Sequence, residues 1–468
     1  MKRLKLLNRR GTRPIPGPGR SGRAGNGDLQ LLAASVLTGL AAALFVIVVE
    51  LDLGLEAFAP IAQLWTIWSI AAATLMFAFQ QWSIQLGLGR GGSISAALAS
   101  GPWLLVAGAT IGTGAIAFAV RGSLFHSDST SWPVAAMAVV LGAIFSGLTR
   151  GVLAVEARHG ALAIAIAGEN LIRIALAIVL VGVTDEAWPY ALALLTGFAI
   201  IGLLGTGRGS GNLAERSAID SVRSATDPDP DPDQPPVAPD AHPAGDALLS
   251  PEGGPAGSAA VTGSSTLGSA AVAGFLSHAA LAAPPLLLAF NGAAAATVSA
   301  TFVVLTAVRL PHLLLQAGAP RAGVVFRAWV EAGDIERQNR ARLAIVGVGL
   351  VLAAVATAAG AALGDLTIGA IFNIRGQVDA WSYGLTAAAA VLSVGATIAT
   401  VLLVAQGRHR FLIVGWAVPL TMAAVIALAT RSNDLGPFAL GLAVLHAVVL
   451  LTLGAAGPPA AGRATRGT

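Results

Sequence analysis

The 468-residue chain contains no cysteine, which excludes a disulfide framework, a thiolate nucleophile and a zinc–thiolate site. Charge is scarce as well: Asp, Glu, Lys and Arg make up 11% of the residues, against about 25% in an ordinary soluble domain. A soluble surface must be covered with polar groups, so this shortage excludes an ordinary soluble enzyme. The nucleotide-binding G-x-x-x-x-G-K-[ST] loop, a His/Glu metal spacing and a nucleophile elbow are all missing. No catalytic residue, cofactor or metal site is expected, and the chain reads as a non-enzyme. Its 56 Gly and 24 Pro follow no G-X-Y period, so it is not collagen-like.

What the sequence does have is long apolar runs. Hydrophobic residues make up 55% of it, and about 20 consecutive apolar residues suffice to cross a bilayer core as a helix. Twelve such segments are predicted, at about 29–49, 58–80, 100–120, 132–153, 160–183 and 188–207, then 266–290, 294–316, 341–363, 380–404, 410–430 and 436–456. The expected fold is an all-α polytopic membrane protein with 12 transmembrane helices in two six-helix lobes. Six spans on either side of a linker imply parallel repeats about a pseudo-twofold axis along the membrane normal. The organisation reads as a basic arm (1–28), an N-terminal lobe (29–207), a linker (208–265), a C-terminal lobe (266–456) and a tail (457–468). The linker carries the run Asp227-Pro-Asp-Pro-Asp-Pro-Asp233, whose alternating prolines forbid a helix and predict a solvated, disordered segment.

Basic residues test the span count. With the amino terminus in the cytoplasm, 23 of the 28 Lys and Arg fall on the inner side, as the positive-inside rule requires. Only Arg121, Arg375 and Arg431 fall outside, and Arg173 and Arg309 lie well inside spans rather than at their inner ends. A multi-pass protein of the cell (cytoplasmic) membrane with both termini cytoplasmic is expected. Eight of the basic residues precede the first span and are placed against anionic lipid. Nucleic acid is not an expected partner, because no aromatic residues interleave with them.

Ionisable groups inside a membrane cost at least ~2.5–3.5 kcal/mol each and so face a cavity or a partner. In the fifth span Glu169 and Arg173 stand i, i+4, on one helix face, with Asn170 beside them. Two readings follow: an internal ion pair, or a cavity site where Arg173 meets an anionic headgroup and Glu169 modulates its charge or couples a proton or cation. In the eighth span Arg309-Leu-Pro-His312 predicts a kink or hinge at Pro311, with Arg309 binding substrate and His312 modulating it. His278 and His446 read as residues that hydrogen-bond between helices. Gln80 and Gln81 are further cavity candidates, and Trp65 and Trp68 are expected to meet lipid. Residues 320–340 read as an amphipathic helix on the cytoplasmic face.

Three stretches resemble a known family. Phe145-Ser-Gly-Leu-Thr-Arg-Gly-Val-Leu-Ala-Val-Glu-Ala-Arg-His-Gly160, followed by Glu169-Asn-Leu-Ile-Arg173, is similar to the fourth and fifth spans of actinobacterial polysaccharide flippases. These belong to the multidrug/oligosaccharidyl-lipid/polysaccharide exporter superfamily. Ala307-Val-Arg-Leu-Pro-His-Leu-Leu-Leu-Gln316 resembles that family's R-x-P motif. Leu55 to Gln81 resembles its second span, with Ala78 and Gln80 at the Pro and Glu positions of its P-x-E-Q ending. The resemblance covers nearly the whole chain. It implies alternating-access translocation of a polyprenyl-diphosphate-linked oligosaccharide for surface polysaccharide synthesis, with Arg173 and Arg309 pairing with the diphosphate. A cation-coupled small-molecule or multidrug exporter of the same fold and a non-transporting scaffold for cell-envelope enzymes are the alternatives.

Overall fold

The computed structural model describes residues 24–85, 103–155, 158–206, 280–309, 332–406, 408–430 and 434–456, with 322, 325, 326 and 328–330 besides. The basic arm up to residue 23, the linker and the C-terminal tail lie outside them, as do His278, Pro311 and His312. Most of the amphipathic segment before residue 332 does too; its described pieces are helical.

The described chain is helical, with no strand among these residues. In order come α1 (Ala24–Ala71), a π segment (Ala72–Met76), α2 (Phe77–Gln85), α3 (Trp103–Ala119), the short α4 (Arg121–Phe125), α5 (Ser131–Val155), α6 (His159–Leu180) and α7 (Ala187–Thr206). The second half holds α8 (Ala280–Phe290), α9 (Ala295–Val308), α10 (Ile335–Gly364), α11 (Ala380–Ala405), α12 (His409–Thr430) and α13 (Leu435–Ala455). Six helices are long and apolar enough to cross a membrane, and five shorter apolar helices accompany them. The first of the six carries two of the twelve spans.

Those two spans form a hairpin. Along one straight helix Phe45 and Trp65 would be about 30 Å apart, yet their rings stack at 5.0 Å. The chain reverses at Gly54, the one non-helical residue in α1, with φ 73° and ψ 164°. Open space surrounds its missing side chain, so the backbone conformation and not crowding requires glycine there. The structure thereby corrects the expected loop at 50–57. Glu50 and Asp52 belong to helix; Glu50 is buried, and Asp52 accepts hydrogen bonds from the Gly182 amide (3.1 Å) and the Tyr190 hydroxyl. The first helix also begins earlier than expected, and the eighth span's described helix ends at Val308.

Lipid tails are as apolar as the side chains, so membrane helices associate through close packing. The many small residues serve that end. A Cβ on Gly147 would lie 2.2 Å from the Met76 carbonyl oxygen, and one on Gly151 would lie 2.8 Å from that of Gln80. These two glycines, one turn apart, seat α5 directly on the backbone of the π segment and α2. In the other half, a Cβ on Gly364 would lie 2.4 Å from Tyr383 Cγ, so α10 and α11 are equally tight. The largest apolar cluster draws on both halves, from Phe58 and Ile61 to Phe302 and Leu435. There the Gln63 amide donates to the Pro285 carbonyl (3.0 Å) and Ser299 donates to the Leu55 carbonyl (2.6 Å). The lobes thus meet at the end that carries the Gly54 reversal.

Candidate functional site

α6 carries Glu169, Asn170 and Arg173 inward, all buried and the two charges fully so. One Glu169 oxygen, Oε1, lies 2.5 Å from Arg173 Nη2, as the i, i+4 spacing allows. The other, Oε2, accepts from Arg150 Nη2 at 2.7 Å. Arg150 comes from α5, one residue before the glycine that rests on Gln80. Close approach of α5 therefore places the second cation.

Arg173 is held by several partners, although its Nη2 meets Glu169 as a close ion pair without hydrogen-bond geometry. Its Nε donates to the Leu194 carbonyl (2.8 Å) and its Nη1 to Asn170 Oδ1 (3.0 Å). The guanidinium lies over the Trp68 ring at 4.8 Å and the Phe198 ring at 5.1 Å, both within cation–π range. Room for it exists because α7 has no side chain at 197: a Cβ there would lie 2.6 Å from Arg173 Nε. This corrects the expectation for the tryptophans. Trp65 is buried against Phe45 and Trp68, and Trp68 is half-buried beneath the arginine. They line the lobe's interior. Two guanidiniums share one carboxylate, so the cluster keeps an excess positive charge.

The C-terminal lobe is different. Arg309 caps the C-terminal end of α9, is half-buried, and its Nε lacks a hydrogen-bond partner. On α13, His446 is fully buried. Its Nδ1 bonds the Leu442 carbonyl at 2.8 Å, while Nε2 is buried without a partner. The ring meets Trp416 of α12 edge to face at 6.0 Å, and the Trp416 N–H is already engaged with Thr400 (3.1 Å).

The structure brings together Glu169, Asn170 and Arg173 and adds Arg150, which stands near the end of the fourth predicted span. Arg309 lies in the other lobe. Gln80 is half-buried on α2, and the side chain of Gln81 lies outside the described residues, as do Pro311 and His312. The sequence signal for Arg150 is weak: an Arg-Gly pair at a span end, whose inward turn depends on the glycine contact. Among the described residues no three His, Asp or Glu side chains gather where a metal ion could be held.

These features define a polytopic helical membrane protein of two six-helix lobes, with an ion-paired arginine inside one lobe and, in the other, an arginine without an ionic partner among the described residues. Solved structures of MATE family transporters of the MOP superfamily share this fold. An inward-facing multidrug resistance MATE transporter aligns with TM-score 0.59 and 13% identity over 91% of this chain and 96% of that one. An outward-facing form aligns with TM-score 0.54 and 13% identity, covering 91% and 93%. A MOP superfamily transporter from Pyrococcus furiosus, described as having a binding pocket of reverse polarity that suggests a different function, gives TM-score 0.53 and 14% identity over 91% and 93%. By sequence, no family model and no curated protein matches the chain. At these identities the likeness is one of fold.

Proposed function

We propose that this chain is an alternating-access transporter and that its cargo is a lipid-linked oligosaccharide. It would carry a polyprenyl-diphosphate-linked glycan from the inner to the outer leaflet of the cytoplasmic membrane, for surface polysaccharide synthesis. The observation that supports this reading is the sign of the interior charge. Arg309 has no acidic partner among the described residues, and the Glu169 carboxylate is outnumbered by Arg150 and Arg173. Positive charge in a low-dielectric interior favours an anionic group, and guanidinium donors suit a diphosphate.

In this reading the lobes rock about their shared contact near Gly54, which is the outer end if both termini are cytoplasmic. Arg309 meets the diphosphate first, because its Nε is uncommitted. Arg173 joins only when the N-terminal lobe loosens, since Glu169, Asn170, the Leu194 carbonyl and two rings already surround its guanidinium. Glu169 holds that charge in reserve. Export of a small cationic compound is the second reading, and Glu50 is the observation on its side: a buried carboxylate whose Oε2 has no partner.

Reconstitution into vesicles with fluorescent lipid-linked oligosaccharide tests the proposal. The wild-type chain is expected to translocate it and Arg309→Gln to lose most of that activity while inserting normally. Normal translocation by the variant overturns the assignment of Arg309. Failure of the wild type, with uptake of a cationic dye that Glu50→Gln abolishes, overturns the cargo.

A further inference from the structure

The charged cluster of the N-terminal lobe is short of hydrogen-bond acceptors. Its carboxylate is used twice: Glu169 Oε1 lies against Arg173 Nη2 (2.5 Å), and Oε2 accepts from Arg150 Nη2 (2.7 Å). Three donors around it are buried and lack an acceptor. One is Arg150 Nε–H. A second is the hydroxyl of Ser146, four residues before Arg150 on α5 and so its neighbour on one helix face. The third is the indole N–H of Trp68, whose ring lies 4.8 Å from the Arg173 guanidinium.

Charge points the same way. Two guanidiniums against one carboxylate leave a positive charge in excess, and a buried charge without its counter-ion is costly. The two cations differ in what can reach them. The side chains of Arg173 and Glu169 are 0% exposed, whereas that of Arg150 keeps 11% of its surface open. Arg173 is also surrounded, by Asn170, the Leu194 carbonyl and two rings. Arg150 is therefore where a guest can enter, and an anion there supplies the missing acceptor and the missing charge together.

We propose that Arg150 is the oxyanion-binding residue of the N-terminal lobe. Its Nε–H, with the Ser146 hydroxyl one turn away, takes an oxygen of a phosphoryl-type group while Glu169 keeps Nη2. Guanidinium N–H groups suit such oxygens, because the donor is charged and the fork matches the spacing of the acceptors. The inference rests on the transport reading only in naming the part of the cargo held, the diphosphate. Arg150 stands five residues before the end of α5 at Val155. That is the cytoplasmic end if both termini are inside, the side from which a cargo made in the cytoplasm is loaded. Arg173, deeper on α6, then has no need to leave its partners for the first contact.

Inorganic pyrophosphate is the probe, titrated by calorimetry into the full chain in phosphatidylcholine nanodiscs. The wild-type chain is expected to bind it, and Arg150→Gln to bind about tenfold more weakly or worse, as loss of a charge-assisted hydrogen bond implies. Arg150→Lys leaves Glu169 a cation, and serves as the second variant should the first not fold; it too is expected to bind several-fold more weakly. Arginine labelled with nitrogen-15 at Nε supplies a readout at the site itself. Pyrophosphate should shift the Nε–H resonance that is missing from Arg150→Lys. Absence of wild-type binding, an affinity that both variants leave unchanged, or an Arg150 resonance that stays in place at saturation overturns the proposal. Geranyl diphosphate distinguishes the source of the phosphoryl group. Tighter binding than pyrophosphate upholds the site as one for a lipid-borne diphosphate, and binding no tighter upholds it as one for a soluble oxyanion. Oligosaccharide translocation is scored separately. Translocation with an unmoved Arg150 resonance overturns the site and leaves the cargo standing, whereas Arg150-dependent binding without translocation does the reverse.

Discussion

The two lobes each bury an arginine, and they treat it in opposite ways. In the N-terminal lobe Arg173 has a carboxylate, an amide oxygen, a backbone carbonyl and two aromatic faces. In the C-terminal lobe Arg309 has an uncommitted Nε and no carboxylate partner among the described residues. A charge paired with a carboxylate and flanked by aromatic faces holds helices together, whereas one without an ionic partner in a low-dielectric interior is available to a ligand. The contrast sets a charge held within its own lobe against one with no carboxylate partner among the described residues.

The sharpest way to break this comparison is to remove the shared carboxylate. Glu169→Gln leaves two buried guanidiniums without their counterion, and a loss of ~3–5 kcal/mol in unfolding stability is expected, read from thermal or denaturant unfolding in detergent. A next, smaller effect should come from Gly197→Ala. The new methyl would crowd Arg173 Nε and Glu169, and overpacking of this kind costs ~1–3 kcal/mol. Stability lost there without any change in substrate affinity would support a structural role for the cluster.

Ser299→Ala removes one bond between the lobes, worth about 1 kcal/mol. Spin labels across the Gly54 end should report a larger separated population. An unchanged distance distribution would mean that apolar packing alone sets the contact. The smallest stability effect is expected from Arg309→Gln, within about 1 kcal/mol, because no hydrogen bond of its Nε is lost. A destabilisation as large as that of Glu169→Gln would erase the distinction between the lobes.

Much of the fold was legible in advance. Hydrophobic length located the spans, because a helix crossing a bilayer needs a fixed number of apolar residues. The i, i+4 spacing of Glu169 and Arg173 announced a pair on one face, and the pair is there. The Gly54 hairpin was misjudged because polar residues at 50, 52 and 56 imitate a loop. Asp52 stays helical by bonding to the chain at Gly182 and Tyr190, a contact 130 residues away in sequence. Trp65 and Trp68 were assigned to lipid for a similar reason. Aromatic residues in a span look alike whether they face lipid or protein, and only the partner, here Phe45 and Arg173, distinguishes them.

By itself, the sequence determined that the chain is a multi-pass helical membrane protein and which residues share a helix face, since both follow from helix rise and helix period. Tertiary structure alone decided which faces meet. It brought Arg150 to Glu169, set Arg173 between two rings over a glycine, and left Arg309 Nε without a hydrogen-bond partner. Between membrane helices the apolar pattern does not choose partners, because lipid satisfies it equally well. Glycine-scale fit and the pairing of a few buried charges make that choice, and both are properties of the packed helices together.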